Sequence, residues 1–305
     1  MEDNFHQVTN YTVTSEYEGV RLDNCLIAKL KGLPRTKIYS IIRKGEVRVN
    51  KSRSKPSMKL KKGDLIRIPP HRTSSISKVF TSKNIKERVS NSIIASEKDF
   101  LILNKPVGIA CHGGSGISSG VIEALREIDV RYKNAQLAHR IDRDTSGCLV
   151  IALKKSFLRK LHQEIRNKQV DKIYDLVVFG NWPKELRSIN KPLLKSKGKS
   201  GEREAIIDKN GKESSTEFTL KETNKSYSLL KAKIITGRMH QIRVHVTSEG
   251  YPIVGDIKYG DKSLNEKARE KGLNRMLLHA NSISFKNLGI KCSTDTPNLF
   301  KEIMS

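Results

Sequence analysis

The sequence predicts an α+β protein made of a small, basic N-terminal module and a larger domain. The larger domain is built on a mixed, largely antiparallel sheet with flanking helices. Two observations carry this. Residues 18–70 pass from helical periodicity to short alternating runs. Beyond residue 91, apolar strand-like segments outnumber helical ones and do not alternate with them, as a doubly wound fold would require.

The chain divides by composition. Residues 1–17 are polar and predict a flexible N-terminus. In the next segment Leu22, Cys25, Leu26 and Leu30 recur at helical spacing, with Gly32 as a stop. Pro34 suits the first turn of a second helix carrying Ile38, Ile41 and Ile42, which Gly45 ends. VRVN and LIRI alternate as strands on either side of a Gly63-Asp64 turn. Arg35, Lys37, Arg43, Lys44, Arg48, Lys51 and Arg53 fall on the polar faces, so the module has a basic side. Residues 71–90 are Ser/Lys-rich and aperiodic, and predict a linker to a domain over 91–305.

In that domain IIASEKDFLILNKPVG reads as two strands joined at Glu97-Lys98-Asp99, and VIEALREI as a helix. CLVIAL is a buried strand. SFLRKLHQEIRNKQ is an amphipathic helix with Phe157, Leu158, Leu161 and Ile165 on one stripe. KIYDLVVFG, TEFTLKET, YSLLKAKIIT and LLHANSISF read as strands, and residues 196–214 as an exposed, mobile insertion.

The formal charge is +26, from 58 Lys+Arg against 32 Asp+Glu. So large an excess implies a polyanionic partner, because each neutralised phosphate releases condensed counterions. Nucleic acid is favoured over a membrane surface: there is no transmembrane-length apolar run, signal-peptide pattern or terminal basic amphipathic helix. Cys25, Cys111, Cys148 and Cys292 are scattered, without a C-x-x-C pair. They suggest neither a zinc knuckle nor a disulfide framework, and suit a reducing cytoplasm.

Two short segments concentrate chemistry. HRIDRDTSG, residues 139–147, sets His139, Arg140, Asp142, Arg143 and Asp144 directly before CLVIAL. It admits a solvated turn, a metal site or a working carboxylate. A zinc site wants a second histidine at helical spacing, and His240 and His245 are five apart, which argues against a metal. Asp142 and Asp144 stand too close for an inverting acid pair. An arginine before each favours an ionised carboxylate, a nucleophile or electrostatic stabiliser. Spacing does not say which aspartate acts. TGRMHQIRVH, residues 236–245, reads as a helix start whose Arg243 can hold a carboxylate through a planar guanidinium.

Residues 18–68 resemble an S4 RNA-binding domain, which grips structured RNA through the basic face of its second helix and the following loop. NKPVGIACHGG, HRIDRDTSG, KIYDLVVFG, TGRMHQIRVH, PIVGDIKYG and LLHANSISF, in that order, resemble the motifs of the RluA family of pseudouridine synthases. The attached S4 module and HGGSGISSGVIEALRE are most similar to the family's ribosomal large-subunit pseudouridine synthase C branch. Ile141 stands for a leucine and Met239 for a threonine, and the tail after Phe285 fits the family poorly.

The resemblance implies isomerisation of uridine to pseudouridine in RNA, most similarly in 23S ribosomal RNA. Asp142 is then the catalytic aspartate, with Asp144 on a variable position. Tyr174 packs against the flipped uracil and is also a candidate for removing the C5 proton, and Arg243 keeps Asp142 ionised. Arg140 supports the flipped state, and Lys105 and His139 are structural or phosphate-facing supports. The reaction balances without ATP or a redox cofactor, so no cofactor and no metal are expected, and a monomer is the default. Transfer RNA as substrate and a non-catalytic S4-type ribosome-binding protein are the alternatives. The second would not account for Asp142, Tyr174 and Arg243 in matching contexts.

Overall fold

The computed structural model describes residues 7–30, 32–71, 80–114, 117–198 and 201–305. The chain forms two compact units, Met1–Val79 and Phe80–Ser305.

In the first unit, helix Leu22–Lys29 buries Leu22, Cys25 and Leu26, and helix Arg35–Arg43 buries Ile38, Ile41 and Ile42. Pro34 caps the second helix. Gly45, at φ +73°, turns the chain out of it in a conformation that L side chains rarely adopt. Buried Asp23 joins the helices: it pairs with Arg21 and accepts a 2.9 Å hydrogen bond from the Tyr39 hydroxyl. Thr9–Thr12, Leu65–Ile68, Arg48–Val49 and Ser52–Arg53, in that order, form an antiparallel sheet.

The first of these strands corrects the expectation of a flexible segment over residues 1–17. Thr9 to Thr12 pair with Ile68 to Leu65, and Val13 is buried. An edge strand needs only one apolar face, and TNYT is too short and polar to show it by alternation. Residues 1–6 lie outside the described residues.

The expected linker over 71–90 is also corrected at its C-terminal end. Lys83–Ser90 is a helix, capped by the Ser82 hydroxyl accepting from the Ile85 N–H. Val89 is buried in the core of the second unit, and Arg88 donates to the Val107 carbonyl at 2.8 Å. Only Ile85 and Val89 mark its buried face, which is why the segment reads as aperiodic. Residues 72–79 lie outside the described residues.

The second unit is built on a ten-stranded mixed sheet. Its order is Ser188–Ile189, Thr216–Thr223, Tyr227–Ile234, Val170–Phe179, Leu278–Phe285, Ser146–Ala152, Phe100–Lys105 and Ile93–Ser96. Gln136–Leu137 and Ile290–Ser293 attach off this path. Leu278–Phe285 pairs parallel with Ser146–Ala152, and the other pairings are antiparallel. Residues of Ser146–Ala152 alternate between two cores. Leu149 and Ile151 pack with Leu103, Leu176 and Leu230. Cys148 and Val150 pack with Ile102, Leu161 and Phe285. A strand covered on both faces has no polar side, hence the unbroken apolar run CLVIAL.

Two expectations change in the second half of this unit. The segment 196–214, read as a mobile insertion, carries most of a hairpin of Leu193–Lys197 and Arg203–Ile207. Leu193 and Ala205 are buried against Val244 and Met239, so the apolar Met239 serves this docking. Residues 199–200 lie outside the described residues. The tail is docked too. Ile290–Ser293 pairs with Leu278–Phe285, Phe300 is fully buried, and the Thr296 hydroxyl donates to Asp175 at 2.6 Å. Among the described residues, no helix is long and apolar enough to cross a membrane.

Candidate active site

Asp142 lies on the loop that enters strand Ser146–Ala152. The Thr145 N–H closes a turn on the Asp142 carbonyl at 3.2 Å, and Thr145 itself is buried. Gly147 makes this entry possible. Its φ is +109°, and a Cβ there would sit 2.3 Å from the Ala280 carbonyl oxygen, where Ser146–Ala152 and Leu278–Phe285 pair in parallel. Any side chain would push the two strands apart.

Lys105 locks the loop from beneath. Its side chain is fully buried, and its ammonium donates to the carbonyls of Pro106, Ile109 and Arg143 at 2.7–2.9 Å. Burial pushes its pKa down to about 8. All three N–H donors are used, so the phosphate-facing alternative is corrected: Lys105 has no donor for RNA. His139 accepts the Val150 N–H at Nε2, 3.1 Å away, and burial pushes its pKa down to about 3. A neutral imidazole so engaged supports the loop and is no cationic phosphate contact.

The two aspartates of the run differ sharply. Asp144 is half-exposed and, among the described residues, pairs only with its exposed neighbour Arg143, at 3.2 Å, which makes it part of a solvated turn. Asp142 is about a quarter exposed, and its Oδ2 accepts from Arg243 Nη1 at 2.8 Å.

Arg243 stands on helix Gln241–Ser248 and is nearly buried. It is shared. Nε and Nη2 make a bidentate pair with fully buried Asp256, both at 2.8 Å, and Nη1 is left for Asp142. Burial alone would lower the Arg243 pKa. The hydrogen bonds and charge of Asp256, then of Asp142, outweigh it and raise the pKa. Burial alone would raise that of Asp256, but Arg243 and the N–H groups of Tyr259 and Lys258 hold it below the usual carboxylate range. The guanidinium also lies over the Tyr259 ring, 4.9 Å from its centroid.

Tyr174, on Val170–Phe179, is buried in the core on the same side as Ile141 and Ile242. Its hydroxyl has no hydrogen-bond partner among the described residues. Burial, then the Asp142 charge, raises its pKa, so the phenol is neutral at physiological pH. Arg140 is exposed and makes no ion pair among the described residues. In the first unit Arg35, Lys37, Arg43, Lys44 and Arg48 are all exposed, on and just after helix Arg35–Arg43.

Three residues of this site were not singled out as site residues from sequence. Asp256 and Tyr259 lie in PIVGDIKYG, where an aspartate among apolar residues was the available signal. His240 was weighed only as a metal ligand. It caps helix Gln241–Ser248 at φ +52°, a left-handed conformation that costs a non-glycine residue about 1 kcal/mol or more.

The comparisons place these features in an RNA-modifying enzyme with an S4 domain. The chain belongs to the RNA pseudouridine synthase family. The family model described as RNA pseudouridylate synthase matches residues 99–248, and the S4 domain model matches residues 20–66. The chain is 48% identical over 278 residues to ribosomal large subunit pseudouridine synthase C of Haemophilus influenzae, covering 90% of this chain and 86% of that one. It is 43% identical over 281 residues to the protein of the same name from Escherichia coli K12, covering 91% and 88%. Among solved structures, human RNA pseudouridylate synthase domain containing 1 superposes with a TM-score of 0.57 at 27% identity, over 68% of this chain and 83% of that one. Human RNA pseudouridylate synthase domain containing 4 shares the fold, with a TM-score of 0.59 at 22% identity, over 72% and 93%.

A pH dependence of stability follows from the buried histidines. His279, hydrogen-bonded to Ser146 and Thr294, has its pKa pushed down to about 4 by burial and the Arg275 charge, and His139 stands at about 3. Both lie below the ordinary value of about 6.5. Between about 6.5 and 4 the unfolded chain therefore binds protons that the folded chain refuses. Stability is full above that window and falls with pH through it, by up to ~1.4 kcal/mol per pH unit for each histidine. Urea midpoints between about pH 4 and 7 check this, and His279→Gln should flatten the slope.

Proposed function

We propose that this pseudouridine synthase acts on uridines of large-subunit ribosomal RNA, with Asp142 as the reactive carboxylate. The observation that carries the site assignment is the 2.8 Å bond from Arg243 Nη1 to Asp142 Oδ2, made by a guanidinium already fixed on Asp256. The ribosomal target rests on similarity to two proteins named for that substrate.

The isomerisation breaks the C1′–N1 bond, turns the base and joins C5 to C1′. C5 loses a proton and N1 gains one, so no external energy source or redox partner enters the balance. The target base must first leave its stack, at a cost of roughly a few kcal/mol. Asp142 then faces the ribose with one oxygen held by Arg243 and the other unbonded among the described residues. A fixed dipole and charge need no reorganisation at the moment of reaction. Tyr174 packs against the uracil ring. Arg140, exposed beside the loop, contacts the displaced backbone. The four buried free thiols suit action in a reducing compartment such as the cytoplasm.

The exposed cations of the S4 unit supply affinity and placement by neutralising phosphates. They are remote in chemistry from the isomerisation, so binding and turnover should separate.

Two measurements follow. Asp142→Asn should abolish tritium release from ribosomal RNA labelled at uridine C5 while leaving RNA affinity within several-fold; undiminished release would remove Asp142 from the reaction. Replacing Arg35, Lys37 and Arg43 together by Gln should weaken binding and flatten the plot of log K against log salt by about 0.7–0.9 for each phosphate left without its cation. An unchanged slope would contradict the role of that face.

A further inference from the structure

We infer that His240 is a positioning residue for the isomerisation: a neutral imidazole whose Nε2–H is held ready to donate to the free oxygen, Oδ1, of Asp142. The inference rests on Asp142 being the reactive carboxylate, and it deepens that reading.

Three independent features converge on this imidazole. The first is its tautomer. The Tyr259 hydroxyl oxygen accepts the Ala205 N–H at 2.9 Å and lies 2.6 Å from His240 Nδ1. The hydroxyl has one hydrogen to give, and among the described residues Nδ1 is the acceptor in reach. Donation to Nδ1 leaves the ring proton on Nε2.

The second is proximity. Nε2 lies 3.9 Å from Asp142 Oδ1, the oxygen that Arg243 leaves unbonded. That distance is beyond a hydrogen bond in the free enzyme. Contacts of this kind tighten when substrate fills a site.

The third is the backbone. His240 sits at φ +52° where the chain enters helix Gln241–Ser248, and the surrounding turn is over-determined. Gln241 Oε1 accepts from Thr236 Oγ1 at 2.7 Å and from the Arg238 N–H at 3.0 Å, while its Nε2 donates to Ser215 O and Thr216 Oγ1. The left-handed residue is held by these bonds, and its ring by an edge-to-face contact with Tyr259, centroids 5.4 Å apart.

Asp142 would thus be gripped on both oxygens by two different devices. Arg243, fixed on Asp256, takes Oδ2. His240, fixed through Tyr259, takes Oδ1 once the ribose is in place. The second device also gives the hairpin Leu193–Lys197/Arg203–Ile207 a part in the site, because the Ala205 N–H on that hairpin donates to the Tyr259 hydroxyl.

The charges facing His240 come from three elements: Asp142 on its loop, Arg243 on the histidine's own helix, and Asp256 and Lys258 on the following loop. Burial, the largest influence, pushes the imidazole pKa below its ordinary value, opposed by Asp142 and Asp256 and aided by Arg243 and Lys258. The Tyr259 O–H, donated to Nδ1, adds to the preference for the neutral ring.

The test compares single-turnover rates on ribosomal RNA for the full-length wild type, His240→Ala, His240→Gln, Tyr259→Phe and Asp142→Asn, each verified folded by its thermal midpoint. His240→Ala should lose at least about tenfold in rate with RNA affinity unchanged. His240→Gln keeps an N–H donor and should recover a large part of that loss. Tyr259→Phe keeps the ring over Arg243 but frees Nδ1. It should lower the rate with RNA affinity unchanged, because Nδ1 loses the donor that leaves the proton on Nε2. A purely structural role would shift thermal midpoints, and His240→Gln would then recover none of the rate. The inference is overturned if His240→Ala keeps the wild-type rate, or if His240→Gln recovers none of the loss. Asp142→Asn separates the two readings: if it remains active, the assignment of Asp142 fails; if it is inactive while His240→Ala is unaffected, only the inference about His240 fails.

Discussion

The site depends on one buried guanidinium shared between two carboxylates. Arg243 commits two of its donor directions to Asp256, which is fully buried and also accepts the N–H groups of Lys258 and Tyr259. That pairing is structural, and it aims the third direction, Nη1, at Asp142. A single arginine facing a single aspartate would be free to swing with it. Fixed on a second anion, it offers Asp142 a donor of set position and permanent charge. The cost of burying the charges is offset by three charge-assisted hydrogen bonds, two to Asp256 and one to Asp142.

The fold supplies the rigidity this arrangement needs. Asp142 leaves its loop into a strand buried on both faces, and Gly147 lets that strand lie against Leu278–Phe285 with no side chain between. Lys105 bonds the carbonyl of Arg143, the residue after Asp142, so the loop is tied from the neighbouring strand as well. Arg243 comes from a helix packed on the same core through Ile242 and Val246. Carboxylate and guanidinium are thus placed by separate elements that share one core, and a change in that core would shift both.

Much of this was legible in the sequence, for stated reasons. CLVIAL and the stripe of Phe157, Leu158, Leu161 and Ile165 follow from burial alone, and the structure has both elements. HRIDRDTSG announced a charged turn against a core strand, but spacing left Asp142 and Asp144 equivalent. Only the tertiary pairing with Arg243, 101 residues away, distinguishes them by geometry. Lys105 shows the opposite limit. A lysine reads as a surface cation, and nothing local shows that three backbone carbonyls enclose it. The edge strand Thr9–Thr12, the helix Lys83–Ser90 and the hairpin around Ala205 escaped because each buries only a few side chains and its polar remainder hides the period. Asp256 and Tyr259 were visible as residues, but their work consists of holding other side chains, which no one-dimensional spacing records.

The most direct test of the shared guanidinium is the single-turnover rate of Arg243→Lys on ribosomal RNA, with folding and RNA affinity measured in parallel. Lysine keeps the charge but cannot hold a bidentate pair with Asp256 and aim a further N–H at Asp142. The rate should fall by at least about a hundredfold with affinity little changed. A folded Arg243→Lys enzyme working within a few-fold of the wild type would show that charge alone suffices, and would contradict the account.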